Sequence, residues 1–196
     1  EANVGRLYGE VRQYLAGGDH KTKDILIELS EYRQAYKAIY GALDSGSPRL
    51  AQSYRNLVIL KLQTAVPLLA WLRTLPAGRL SLADHERAAG AVESWVLRRM
   101  ILGANTRGYN AAFLGVLKSA QAAARTPEAN IADAVVAALA VSPNSLAWPS
   151  DDEIRSAFTQ DRFYGRFTQE RIRLILGAID AQMRVKFLRG GYLGTV

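Results

Sequence analysis

Two adjacent arginines, Arg98 and Arg99, lie in an apolar stretch that ends in a Gly- and Asn-rich break carrying a third arginine, Arg107. A guanidinium donates up to five hydrogen bonds in a planar fork, which suits contact with carboxylates and phosphates. On a helical wheel, apolar side chains cover nearly the whole circumference of residues 92–103, and both arginines fall between them. Because an isolated buried charge is costly, we expect each arginine to pair with acids, reach the surface or meet a partner's phosphates. Pairing within the chain or with a neighbouring domain is favoured over contact with DNA.

The C-terminal part of the chain is a second candidate site, because it is basic and carries interleaved aromatic residues. Residues 161–196 hold seven Lys/Arg against three acids, with Phe163, Tyr164 and Phe167 among them. Basic residues beside aromatic rings can bind nucleic acid, and they are also typical of a solvated helix face over a small core. The candidate DNA contacts are Arg162, Arg166, Arg171, Arg173, Arg184 and Lys186.

The sequence contains no complete set of residues for a catalytic site. His20 and His85 each lie alone on a polar stretch, where we expect exposed or capping side chains. His85 and Glu86 are adjacent and diverge on a helix, so they do not form a helical zinc site. No Gly-rich phosphate loop and no Gly-x-Ser-x-Gly elbow is present, and the acids of 151–153 are explained by helix capping. We therefore expect no catalytic residue, no metal site and no cofactor in this chain.

Composition indicates an ordinary globular protein of 196 residues, with 49% apolar and 22% charged residues. The absence of cysteine excludes a disulfide framework and a thiolate metal site, and it fits the cytoplasmic location that we expect. The net charge of +7 favours an anionic partner such as DNA. No apolar run reaches the roughly 18 residues needed to cross a bilayer, and Glu1 opens no signal-peptide pattern, so no membrane association is expected.

The elements that must position these residues are all predicted to be helices. Apolar residues recur at i, i+3 and i+4 spacing, and no alternating strand pattern of useful length occurs. The fold class is therefore all-α, a multi-helix bundle forming one domain over residues 1–196. About eight helices are predicted, over 3–16, 22–43, 50–75, 81–102, 107–125, 126–141, from 150 onward, and 168–188.

Three local signals refine the helix boundaries. Pro67 removes a backbone donor and should kink or split the long helix predicted over 50–75. Thr126-Pro127-Glu128 predicts a helix start, with a cap followed by proline at the first helical position. Ser150 and Glu153 form a full capping box.

The stretch "VESWVLRRMILGANTRGYNAAF" resembles the helical region of the GmrSD-type family of modification-dependent restriction proteins, which includes SspE-like phosphorothioate-sensing defence proteins. The similarity lies in the paired Arg98-Arg99, the polar break at Asn105-Thr106 and the step at Tyr109-Asn110. Four further segments agree in order, so that the resemblance covers most of residues 22–185. They are "ILIELSEYRQAYKAIY", "LQTAVPLLAWL", "WPSDDEIRSAF" and "RIRLILGAID".

This resemblance implies an antiphage DNA-nicking endonuclease whose N-terminal sensor domain hydrolyses a nucleoside triphosphate and whose C-terminal HNH nuclease uses a divalent metal. Neither signature occurs in these residues, so no catalytic residue carries over. We expect the chain to be the helical segment that links the two domains. Its partners would be these two domains and DNA. The structural or interdomain residues implied by the resemblance are Trp95, Arg98, Arg99, Arg107, Tyr109 and Asn110.

The alternative interpretation is a self-contained helical binding module, such as a dimeric regulator or a protein-interaction scaffold, which would act as a homo-oligomer. A helix-turn-helix would need a short second helix with an exposed polar reading face. The break at Gly103–Thr106 has about the right length, but the helix after it is too rich in alanine and leucine to read bases.

Overall fold

A computed structural model describes residues 22–41, 43–141, 144–160 and 165–189, together with the isolated positions 9, 12, 13 and 16. Within these residues the chain forms α-helices and one short 3-10 turn, with no strand, which confirms the all-α fold class. The helix predicted over 3–16 falls outside the continuous described ranges and stays a prediction.

The described part contains eight α-helices, numbered here in chain order. They are α1 (Thr22–Ile39), α2 (Pro48–Ile59), α3 (Val66–Thr74), α4 (Leu82–Ile101), α5 (Tyr109–Ala124), α6 (Ile131–Ala140), α7 (Asp151–Gln160) and α8 (Gln169–Arg189); the 3-10 turn at Asn144–Leu146 precedes α7. No helix among these residues is both long enough and apolar enough to cross a membrane.

Helix α4 is the centre of the bundle, because it packs against α2, α3, α6 and α7. Ala88, Ala89, Val92 and Trp95 on this helix are completely enclosed. The small alanines let neighbouring helices approach closely, while Trp95 fills the space nearer the end of the helix. A helix that is apolar nearly all round is expected to be buried, and the structure shows that arrangement.

The long helix predicted over 50–75 is split into two helices, α2 and α3, and not merely kinked, and the break at residues 60–65 lies before Pro67. The break is set by Lys61, which adopts a left-handed conformation with φ of 57°. The amide of Lys61 donates to the Val58 carbonyl at 2.9 Å and that of Leu62 to the Leu57 carbonyl at 3.1 Å, the pattern of a Schellman helix end. Pro67 lies in the first turn of α3, where a missing backbone donor costs little.

The start of α6 was also predicted wrongly, because Thr126 and Pro127 belong to a turn and the helix begins at Ile131. The cap is Asn130, whose side-chain oxygen accepts from the Asp133 amide at 3.0 Å. The capping box at the start of α7 is confirmed. Ser150 Oγ accepts from the Glu153 amide at 3.2 Å, and Glu153 Oε2 accepts from the Ser150 amide at 2.8 Å.

The end of α5 is held by Arg79, which precedes α4 in the chain. Its guanidinium donates to the carbonyls of Ala123 at 2.6 Å, Ala124 at 3.1 Å and Thr126 at 2.7 Å. A cation at the negative end of a helix also interacts favourably with the helix dipole. Arg79 therefore fastens the far end of α5 to the segment that leads into the central helix.

Helix α8 is the least covered of the described helices after its first turns. Leu174 and Ile175 are buried against the bundle, and the broadest packing partner of α8 is α2. Beyond them the apolar side chains of Leu176, Ile179 and Met183 are exposed. Large apolar side chains of α1, including Leu26 and Leu29, are exposed as well.

Candidate functional site

Arg99, in the last turn of α4, is buried with 3% of its surface exposed. Its Nε donates to the Tyr109 hydroxyl at 3.2 Å, and its Nη1 donates to the Ala147 carbonyl at 3.1 Å. Its Nη2 donates to the carbonyls of Asn105 at 3.1 Å and Ser145 at 3.0 Å. These partners are three peptide carbonyls and a phenol, so the buried cation is satisfied without a carboxylate.

Two aromatic rings complete the surroundings of Arg99. Its guanidinium carbon lies 4.9 Å from the centre of the Trp95 ring and 5.5 Å from that of Tyr109. Phe113 packs edge-on against Trp95, with ring centres 5.5 Å apart. A guanidinium is planar and weakly hydrated, so it tolerates burial against ring faces better than an ammonium does. The expectation that every buried arginine here needs an acid, the surface or a phosphate is therefore wrong for Arg99.

Arg98 meets the expectation, since it is partly exposed and pairs with an acid. Its Nη2 lies 2.6 Å from Asp151 Oδ1, and its Nη1 donates to the Pro149 carbonyl at 3.0 Å. The hydrogen bond and charge of Arg98 hold the pKa of Asp151 below its usual value. Asp151 opens α7, so this ion pair joins the end of α4 to the start of α7.

We call Trp95, Arg98, Arg99 and Tyr109, with the connector 144–150, the arginine junction. It brings together the end of α4, the break between α4 and α5, and the connector before α7. The other two residues predicted for this site, Arg107 and Asn110, have exposed side chains beside the junction. The Arg107 amide donates to the Asn105 side-chain oxygen at 2.7 Å, which shapes the turn of the break.

The acids that follow Asp151 are also engaged in local structure. Asp152 lies 2.6 Å from Arg155 one turn later on α7, and Glu153 caps the helix through Ser150. The capping hydrogen bonds from Ser150 lower the pKa of Glu153. In the described residues, no three His, Cys, Asp or Glu side chains come together in a group that could hold a metal ion.

Four of the six candidate DNA contacts have side chains that the structure describes, and these four do not line one cavity. Arg162 and the side chain of Lys186 lie outside the described residues. Arg166 and Arg171 line one pocket, Arg173 lines a separate groove, and Arg184 pairs with Asp180 at 2.8 Å on exposed α8. The sequence grouped them by proximity along the chain, whereas the turn before α8 and the helix itself spread them over different faces.

The pocket that receives Arg166 and Arg171 has a volume of about 500 Å³ and an open mouth. We call it the cationic pocket, because Lys61 also lines it and its lining, within the described residues, holds no acid. Arg166 donates to the Ile101 carbonyl at 3.0 Å, and its guanidinium lies 5.1 Å from the Phe167 ring. Sequence reasoning missed Lys61 because it placed this residue inside one continuous helix.

The groove lined by Arg173 is larger, about 1080 Å³, and lies between α2, α4, α7 and α8. Its wall is mostly apolar, and Arg49, Arg98 and Glu93 lie along it. We call it the apolar groove. The apolar residues lining it include Leu97, Ile101, Ile154, Phe158, Ile179 and Met183.

His85 is buried, with 7% of its surface exposed, so the expected exposed or capping role is wrong. Its Nε2 lies 3.0 Å from the hydroxyl of Tyr54, which is enclosed in the core. Burial lowers the pKa of His85 to about 4 and raises the pKa of Tyr54 to about 12. The imidazole is therefore neutral near pH 7 and suits a structural hydrogen bond better than general base catalysis. His20 lies outside the described residues.

Comparisons of the chain with models of protein families, with curated proteins and with solved structures found no match. The structure thus defines an all-α multi-helix protein, and the family resemblance rests on the sequence motifs alone.

Proposed function

We propose that this chain is the helical module of a GmrSD-type, modification-dependent DNA-nicking endonuclease that acts in antiphage defence. In this proposal it couples a nucleotide-hydrolysing sensor domain to an HNH nuclease domain. The sequence motifs suggest the family, and the arginine junction is the structural observation that supports a coupling role.

Coupling between distant domains needs a stiff element whose ends are fixed to their surroundings. Helix α4 has 20 residues, which corresponds to a length of about 30 Å. Its last turn is bonded through Arg98 and Arg99 to the connector that leads into α7. A displacement of α7 would therefore disturb the ion pair of Arg98 with Asp151 and the hydrogen bonds of Arg98 and Arg99 to the connector.

The exposed apolar side chains support the presence of neighbours. A contiguous exposed apolar surface usually marks an interaction site. Leu176, Ile179 and Met183 on α8 provide such a surface at one side of the bundle, and Leu26 and Leu29 on α1 provide another. In the proposal these helices contact the two flanking domains. The same surfaces also favour the alternative function, a self-contained module that binds a second copy of itself.

The test uses the full-length protein with its own flanking sequence and measures nucleotide hydrolysis and plasmid nicking separately. Arg98→Gln removes the ion pair between α4 and α7, so we expect nicking to fall at least about tenfold while nucleotide hydrolysis continues. Arg155→Gln is the matched control, because it removes an ion pair within α7 only. Equal nicking by both variants would contradict coupling through the junction. A full-length protein without an HNH motif would contradict the family assignment.

A further inference from the structure

The cationic pocket lies at one end of the bundle, where two interhelical breaks and the approach to α8 meet. Its lining comes from residues 60–64 between α2 and α3, residues 103–106 between α4 and α5, and the segment at Arg166 and Phe167. Three stretches that are distant in sequence thus form one cavity. Its volume of about 500 Å³ is typical of a small-molecule site.

The charge of this cavity is positive. Lys61, Arg166 and Arg171 line it, and no aspartate or glutamate does so among the described residues. Two helices, α2 and α4, end near the pocket and three, α3, α5 and α8, begin near it, so their opposite dipole ends partly offset one another. Glu170 precedes Arg171 but is exposed and does not line the pocket. Lys61 and Arg171 therefore bring positive charge to the lining, which attracts an anion.

Lys61 occupies a backbone conformation that disfavours a side chain. Its φ of 57° makes it the sole non-glycine residue with a positive φ among the described residues. A glycine would end α2 with less strain, because it has no Cβ to clash in the left-handed region. Lys61 lines the pocket in spite of this strain, and backbone strain of this kind concentrates at functional sites.

Thr64 also lines the pocket, and its hydroxyl oxygen is enclosed without a hydrogen-bond partner among the described residues. Because this oxygen is enclosed, a ligand in the open pocket reaches it only if the wall shifts. The contacts to an anion therefore fall to the charged side chains of the lining.

Part of the lining is apolar and includes an aromatic ring, whereas Gln63 and Thr106 are polar. Val96, Met100 and Phe167 lie on this part of the wall. Nucleobases stack on aromatic side chains with little dependence on base identity. We infer that the cationic pocket binds a nucleotide, with its phosphate at Lys61 and Arg171 and its base against the apolar wall. The inference does not depend on the proposed restriction function, since the phosphate group can belong to a free nucleotide or to a DNA strand.

The experiment measures binding by isothermal titration calorimetry at low salt, with dAMP, deoxyadenosine, inorganic phosphate and a single-stranded 12-mer as probes. We expect saturable binding of dAMP at one site per chain. Arg171→Gln and Lys61→Gly should each weaken it about tenfold, because each removes a charge-assisted contact. Glycine suits the backbone of residue 61, so a loss in that variant does not reflect unfolding. Arg155→Gln removes the same charge from exposed α7 and should bind as the unchanged protein does.

The probes separate the two sources of phosphate. If dAMP binds and the two pocket variants weaken that binding, the ligand is a free nucleotide. If only the 12-mer binds and the two variants weaken its binding, the ligand is a DNA strand. Each of three outcomes would overturn the inference. One is no saturable binding of any phosphate probe, and another is equal affinity for dAMP and deoxyadenosine. Affinities that are unchanged in both pocket variants would overturn it as well.

Discussion

Arg99 and Tyr109 bind each other across the break between α4 and α5, with Nε of the arginine 3.2 Å from the tyrosine hydroxyl. The tyrosine ring also lies 5.5 Å from the guanidinium carbon, so one side chain contributes both a hydrogen bond and a ring face. This double contact, with three peptide carbonyls, lets a charge lie in the core without a carboxylate partner among the described residues. The arginine thereby becomes a structural joint between segments that are distant along the chain.

Arg99→Lys should destabilise the fold, although it keeps the positive charge. A lysine ammonium is compact and strongly hydrated and cannot reach all of the acceptors that the planar guanidinium reaches. Buried carbonyls would lose their donors, and we expect a loss of about 3 kcal/mol in the free energy of unfolding. Urea denaturation followed by circular dichroism measures it. Arg98→Lys is the control and should cost about 1 kcal/mol or less, because its ion pair is partly solvated. Equal losses in the two variants would argue against the buried joint.

Tyr109→Phe tests the hydroxyl separately from the ring. The substitution keeps the packing against Trp95 but leaves Nε of Arg99 without its acceptor. A buried donor left unpaired costs about 1–3 kcal/mol, and we expect a fall in stability of that size. Tyr36→Phe, on the exposed side of α1, should change stability little. Thermal unfolding of both variants measures the difference, and a neutral result at residue 109 would contradict the assigned hydrogen bond.

His85 should make the stability of the protein depend on pH on the acid side of neutrality. Burial lowers its pKa from an ordinary value of 6.5 to about 4, so the unfolded state binds more protons between these values. The contribution of His85 to the free energy of unfolding is therefore fully present above pH 6.5. It falls by about 3 kcal/mol in total as the pH drops toward 4. Urea midpoints measured from pH 7 to pH 5 test this, since carboxylates titrate mainly below that range. In His85→Gln the decline over this range should largely disappear, and an undiminished decline would contradict the assignment to His85.

Lys61→Gly should stabilise the protein while it weakens the cationic pocket. Glycine relieves the left-handed strain at the end of α2, which more than offsets its greater freedom in the unfolded chain. We expect a gain of about 0.5–1 kcal/mol in the free energy of unfolding. Lys118→Gly, on the exposed side of α5, should lose about 1 kcal/mol because it lies in a helix interior. A loss at both positions would show that the side chain of Lys61 contributes to the fold.

Arg173→Gln should affect DNA binding through charge alone. If Arg173 contacts a phosphate, the slope of log affinity against log salt should fall by about one for duplex DNA. Fluorescence anisotropy over a salt series measures the slope, and Arg155→Gln serves as a charge-matched control. An identical slope in both variants would exclude a phosphate contact by Arg173.

Helical periodicity predicted the fold class well, because burying one helix face leaves a signal within a few turns of sequence. Burial of α4 was indicated by apolar residues nearly all round the helix, and the capping box at Ser150 by its own Ser-x-x-Glu pattern. The turn at Lys61 carried no such signal, since a lysine at a left-handed helix end is uncommon. Pro127 misled the prediction because proline fits a turn as well as a helix start.

The partners of the site residues could not be predicted, because they are set by tertiary packing. Arg99 binds the carbonyls of Ser145 and Ala147, more than forty residues away, and main-chain acceptors leave no mark in composition. The partner of His85 is Tyr54, which lies on another helix. The cationic pocket needs three breaks to meet, and only the folded chain brings Lys61 beside Arg171.

The connector of the arginine junction has a consequence for how such chains diverge. In the connector, Arg99 donates to main-chain oxygens, which every amino acid carries. The side chains of Ser145 and Ala147 are exposed. Substitutions at these two positions should change the stability of the junction little, whereas a substitution at residue 99 removes all hydrogen bonds of its guanidinium. Relatives should therefore keep the arginine while the sequence of the connector varies. A connector with other side chains would still bind Arg99 through its main-chain carbonyls.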